Sequence, residues 1–172
     1  MNVEKLAAVV EDMIVQHDYP GFEPRALKLG LPESITKAPT KVFAQALGHP
    51  NVYVKLAALR WFQEKPGLAK NYKNAVLGLL DNEDSFVRVE ALHLLERFTE
   101  PSKDMVVEVV KRLKDGDADV QRTAARACGK LCKKLKMKDP SVISSLQEAA
   151  SQGDPQLRGK AEKALRRIGA YD

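Results

Sequence analysis

The side chains best suited to catalysis or metal binding are few and are spread along the chain. The histidines His17, His49 and His93 fall at a predicted helix end, in a predicted turn and within a predicted helix. Acid–base catalysis requires such groups to converge on one site. Cys128 and Cys132, one helical turn apart, supply two thiolates, but zinc needs further ligands at suitable spacing. We therefore expect no catalytic residues, no metal site and no cofactor.

An acidic cluster resembles a calcium-binding loop only superficially. Asp115, Asp117 and Asp119 alternate with other residues, as calcium ligands do. An EF-hand also needs Gly at its sixth position and Glu at its twelfth, where this sequence has Val120 and Arg126. We reject a calcium site and interpret the acidic turn as a helix start.

The charge of the chain is uneven. The net charge is +5, yet residues 1–100 contain 12 Lys and Arg against 13 Asp and Glu, whereas residues 101–172 contain 16 against 10. The basic excess is therefore entirely C-terminal. A positive field of this kind favours acidic partners.

An internal repeat predicts the elements that position these charges. Its clearest column contains Val54, Val87, Val120 and Leu157, at spacings of 33, 33 and 37 residues. Apolar residues recur around each of them with helical periodicity, and a polar turn precedes each segment. The turns end in residues that cap helices well: Asn51, Asp84, Asp117 and Asp154. The pattern predicts helix pairs at about 39–65, 66–99, 101–137 and 139–170.

The N-terminal segment differs from the repeats. An amphipathic helix is predicted at about 3–17, followed by a stretch rich in Pro and Gly at 18–38 that holds one or two short helical turns. We expect residues 1–38 to cap the apolar face of the first pair, and residues 39–172 to form one continuous array. Trp61 aligns with apolar core positions, which predicts a buried anchor.

The repeat unit resembles a known family. The run Asp84-Ser85-Phe86-Val87-Arg88-Val89-Glu90-Ala91 is similar to the HEAT repeat, an armadillo-like helix pair. The last repeat is similar to the short variant found in phycobilin-lyase-type HEAT proteins. The resemblance implies an all-α fold: a right-handed α-solenoid of about four antiparallel helix pairs, with the second helices lining its concave side.

The repeat period places basic residues in rows along these second helices. The helical spacing turns the rows away from the apolar stripe, so we predict a concave, basic binding surface. Its candidate partner-binding residues are Arg60, His93, Arg97, Arg122, Arg126, Lys130, Lys133, Lys163 and Arg167. The favoured hypothesis is a non-enzymatic scaffold or adaptor that binds an acidic peptide or protein surface.

Two alternatives remain open at this point. The basic patch also suits nucleic acid bound through its phosphates, although 6% aromatic residues offer little for base stacking. The last repeat suggests a phycobilin-lyase-like enzyme or enzyme subunit. No apolar run is long enough to cross a membrane, and the two closely spaced cysteines favour a reduced, cytoplasmic location, with the nucleus as alternative. We expect a monomer in the absence of its partner.

Overall fold

The computed structural model describes residues 1–16 and 33–170, and every regular element in these residues is helical. The α-helices are α1 (Val3–Gln16), α2 (Glu33–Thr36), α3 (Thr40–Ala46), α4 (Val52–Glu64), α5 (Pro66–Ala69), α6 (Lys73–Gly78), α7 (Ser85–Leu95), α8 (Lys103–Lys111), α9 (Ala118–Leu135), α10 (Pro140–Gln152) and α11 (Pro155–Ile168). Short 3₁₀ turns at Lys70–Tyr72, Leu79–Asp81 and Arg112–Lys114 follow α5, α6 and α8. The prediction of an all-α fold is confirmed.

The helices form the four predicted pairs. The first helices are α3, the broken segment α5–α6, α8 and α10, and the second helices are α4, α7, α9 and α11. Each second helix packs against the second helix of the next pair, so that α4, α7, α9 and α11 form one continuous layer. Neighbour-to-neighbour stacking of this kind defines an α-solenoid. The right-handed sense and the concave side stay predictions.

The predicted caps hold the second helices at their N-termini. Asn51 accepts a hydrogen bond from a first-turn backbone N–H of α4, and Asp84, Asp117 and Asp154 each accept two in α7, α9 and α11. Such a cap stabilises a helix by about 1 kcal/mol. The sequence analysis missed a further cap, Asp139, which accepts two backbone N–H groups of α10.

The repeat columns form the core. Val54, Val87 and Val120 are fully buried and Leu157 is 3% exposed. Trp61 is also buried, as predicted, and its ring stacks on that of Phe43 with centroids 4.1 Å apart. Its indole N–H donates to the carbonyl oxygen of Thr36 at 3.2 Å, which ties α4 to the end of α2.

The N-terminal helix packs onto the first pair. α1 contacts both α3 and α4 and buries Leu6 and Val10 completely. The turns predicted within 18–38 fall largely on residues 17–32, outside the described residues, and α2 lies at the end of that stretch. The capping role of residues 1–38 and the division at residue 39 stay predictions.

Candidate binding surface on the second helices

Eight of the nine candidate residues lie on the second helices and Arg97 follows the end of α7, but the chain itself engages most of them. Arg60 of α4 and His93 of α7 both approach the carboxylate of Glu90, at 3.4 and 3.7 Å, and Gln63 donates to it at 2.7 Å. Burial opposes ionisation of Glu90, but the interactions with His93 and Gln63 and the charge of Arg60 outweigh it and lower its pKa to about 2. Arg60 and His93 therefore face an internal anion at neutral pH.

A second buried carboxylate engages two residues of α9. Glu96, 7% exposed, accepts from Arg126 Nε at 3.0 Å and from Lys130 Nζ at 2.9 Å. Lys134 Nζ donates to the carbonyl oxygens of Glu96 and Phe98 at 3.0 and 2.7 Å. An acidic side chain is unfavourable at a helix C-terminus, where the dipole is negative. At the end of α7, the positive charges of Arg126, Lys130 and Lys134 offset the negative charge of Glu96.

The pKa of Lys134 reflects this crowding. Burial and the neighbouring charge of Lys130 lower its pKa, and only Glu96 acts in the opposite direction. The ammonium group is retained by its two carbonyl acceptors rather than by an ion pair of its own.

Two further candidates bridge neighbouring helices. Arg97 is exposed but donates from Nη1 to the carbonyl oxygen of Gln63 at 3.0 Å, which links α7 to α4. Arg122 lies 3.1 Å from Asp119 in its own helix and 3.4 Å from Asp154, the cap of α11. Five of the nine candidates, Arg60, Arg97, Arg122, Arg126 and Lys130, thus link adjacent repeats, and His93 interacts with Glu90 within α7.

The other three candidates are Lys133, Lys163 and Arg167, which lie on the adjacent helices α9 and α11 and are called the open basic patch here. Lys133 and Lys163 are exposed and Arg167 is half-buried. Across residues 1–16 and 33–170, no carboxylate pairs with any of the three. The patch lies in the C-terminal halves of α9 and α11, which agrees with the uneven charge of the sequence.

Sequence reasoning followed the basic residues and missed the acids that engage them. Glu90 lies within α7 and pairs with Arg60 of the preceding second helix, α4. Glu96 caps the C-terminus of α7 and pairs with Arg126 of the following second helix, α9. The 33-residue period could not have revealed this contact, because it aligns Glu96 with Gly129 and Arg126 with His93.

The acidic turn at the start of α9 has the structural role that was predicted. Asp117 caps the helix and Asp119 pairs with Arg122. Asp115, whose side chain is 5% exposed, receives two hydrogen bonds from Arg88 at 2.8 and 3.0 Å. In the part of the chain that the structure describes, no three His, Cys, Asp or Glu side chains are grouped to hold a metal ion.

The cysteines are core residues, as predicted. Cys128 is fully buried and Cys132 is 1% exposed. A hydrogen bond with Cys132, together with burial, raises the pKa of the Cys128 thiol, which disfavours the nucleophilic thiolate. This burial argues against the phycobilin-lyase-like alternative, which needs a reactive group that substrate can reach.

No helix in residues 1–16 and 33–170 combines the length and the apolar character that crossing a bilayer requires.

Comparisons with known proteins agree with this geometry. A family model of HEAT repeats matches residues 106–172, which include most of the third pair and the whole of the fourth. The fold is similar to the crystal structure of an engineered protein from the Northeast Structural Genomics Consortium, with 20% identity and a TM-score of 0.55. The alignment covers 76% of this chain and 62% of the engineered one, so this chain spans less than two thirds of that protein. Among curated proteins, none matches this sequence.

Proposed function

We propose that this chain, a HEAT-repeat protein by its residues 106–172, is a non-enzymatic scaffold that binds an acidic peptide or protein surface. HEAT repeats commonly mediate protein–protein interaction, because stacked helix pairs present an extended surface. The observation that supports an acidic partner is the open basic patch of Lys133, Lys163 and Arg167. Its three cations have no carboxylate partner in the described residues, whereas Arg126 and Lys130, the counterparts of Lys163 and Arg167 in the preceding repeat, both pair with Glu96.

The patch offers charge and little apolar area. The large apolar side chains exposed in the described residues are Met1, Leu68, Phe86 and Val107, and none of them neighbours the patch in sequence. Recognition by this surface therefore depends on charge-assisted hydrogen bonds. The helices α9 and α11, which contain the patch, have no Phe, Tyr or Trp for base stacking, which favours a protein partner over single-stranded nucleic acid.

Affinity capture with charge-reversed variants tests the proposal. The intact protein is used as bait in a lysate of the cells that make it, beside the triple variant Lys133→Glu/Lys163→Glu/Arg167→Glu. A matched control, Lys5→Glu/Lys41→Glu/Lys103→Glu, changes the net charge equally at exposed lysines on α1, α3 and α8. Circular dichroism confirms that both variants remain helical.

The expected result is a set of proteins captured by the intact chain and by the control, and lost with the patch variant. Equal capture by all three baits contradicts the patch as the binding surface. Treatment of the lysate with nuclease separates the second class of partner. Loss of capture after nuclease shows that nucleic acid, rather than an acidic protein, is what the patch binds.

A further inference from the structure

The contact between Glu96 and α9 shows how this repeat holds a carboxylate. The two cations are the residues nine and thirteen positions after the N-cap of α9, namely Arg126 and Lys130. The acid is the residue twelve positions after the N-cap of α7. Its oxygens lie 3.0 Å from Arg126 Nε and 2.9 Å from Lys130 Nζ, and the residue is 7% exposed. We call this pair of cations the filled clamp.

The next pair repeats the cations without the acid. Nine and thirteen positions after the N-cap of α11 are Lys163 and Arg167, which we call the open clamp. Twelve positions after the N-cap of α9, where Glu96 would recur, the chain has Gly129. Lys163 is exposed and Arg167 half-buried, and no carboxylate among the described residues pairs with them.

Helix packing explains why the chain cannot fill this clamp from α9. α9 and α11 approach so closely at Gly129 that a Cβ atom there would lie 2.7 Å from both Cα and Cβ of Ala164. No side chain fits at that point unless the two helices move apart, so the close packing excludes an acid there. Residues four apart on a helix are neighbours on one face, about 6 Å apart, which lets Lys163 and Arg167 act on one anion together. The carboxylate that completes the clamp must come from outside α9.

We infer that Lys163 and Arg167 bind one carboxylate side chain, Asp or Glu, of the partner, in the way that Arg126 and Lys130 bind Glu96. This inference rests on the proposed function and names the contact at its centre. An arginine supplies directional N–H donors and a lysine a mobile point charge, the same combination that engages Glu96. The partner therefore replaces, at the last repeat, an acid that the preceding repeat supplies internally.

A peptide titration with charge-matched variants tests the inference. The probe is a rhodamine-labelled hexaglutamate peptide, acetylated at its N-terminus and amidated at its C-terminus, and binding is followed by fluorescence anisotropy at low salt. The clamp variant is Lys163→Gln/Arg167→Gln. The control is Arg158→Gln/Lys160→Gln, which removes two exposed positive charges from the same helix outside the clamp. Thermal melts check that both variants fold as the parent does.

The clamp variant is expected to bind the peptide about tenfold more weakly than the intact chain, since charge-assisted hydrogen bonds are lost. The control is expected to stay within about threefold, as exposed charges contribute little singly. Equal weakening of both variants overturns the clamp and leaves the proposed function standing, because diffuse charge then binds the acidic peptide. If the intact chain does not bind the peptide, the proposal of an acidic partner is refuted, and the open clamp is refuted with it.

Discussion

Replacing Gly129 by Ala tests the close approach of α9 and α11. The added Cβ would lie 2.7 Å from Cα and Cβ of Ala164, whereas carbon atoms pack best at about 3.5–4.0 Å. Relief of the clash therefore requires a separation of the two helices by about 1 Å. Part of the contact is with backbone, which does not yield as a flexible side chain does.

Two effects of opposite sign decide the outcome. Overpacking a buried position costs about 1–3 kcal/mol of unfolding free energy. Glycine in a helix interior is less stable than alanine by about 0.5–1 kcal/mol, which the substitution recovers. The clash is the larger effect, so we expect Gly129→Ala to destabilise the protein by about 1–2 kcal/mol. With a urea dependence of about 2 kcal/mol per molar, the midpoint falls by about 0.5–1 M.

Gly159 provides the matched control. It lies exposed within α11, and a Cβ built there meets no atom within 4 Å. Gly159→Ala should therefore raise the urea midpoint by about 0.25–0.5 M, from helix propensity alone. Circular dichroism follows all helices and the fluorescence of Trp61 follows the first pair, so coincident transitions check that unfolding is cooperative. If Gly129→Ala stabilises the protein as much as Gly159→Ala does, the reasoning about close approach is refuted.

Three further predictions concern pH, thiol reactivity and the N-terminal segment. Because the pKa of Glu90 is lowered from 4.5 to about 2 on folding, it contributes stability above pH 4.5 that is lost as the pH falls towards 2. Urea unfolding between pH 7 and 2.5 should show this loss, up to about 3 kcal/mol, reduced in Glu90→Gln; parallel pH profiles of the two proteins would contradict it. Cys128 and Cys132 should not react with a thiol reagent such as Ellman's reagent in the native protein and should react in 6 M guanidinium, since both are buried; fast labelling of the native chain would show that the core opens. Deletion of residues 1–38 should cause aggregation, measured by light scattering, because α1 covers apolar surface of the first pair; a monomeric, fully helical truncation would refute the capping role.

Local signals were sufficient to predict the repeat array. Apolar spacing of three and four residues predicts helices irrespective of their surroundings, and a cap such as Asp117 acts on backbone groups within three residues of itself. Asp139 was missed because its helix start did not fit the column of the other caps, yet it caps α10 by the same geometry.

The site was predicted only in part, because a charge has no fixed role until its neighbours are known. The row of basic residues follows from the 33-residue period, but the period says nothing about which side chains meet across two helices. Arg126 and Lys163 are equivalent in sequence, and the first contacts Glu96 whereas the second has no acidic partner in the described part of the chain. The difference arises from pairs of residues 30 or more positions apart.

The sequence alone determined the helical repeat and the caps, since each depends on the residue types within a few turns of one helix. It also determined the basic excess of the C-terminal half, which is a sum over charged residues. The tertiary structure decided which basic residues remain open to a partner. Packing of α7 against α9 brings Glu96 to Arg126 and Lys130, and the tight contact at Gly129 excludes the equivalent acid beside Lys163 and Arg167. Coulomb interaction acts through space, so only the folded chain determines which charges are already neutralised.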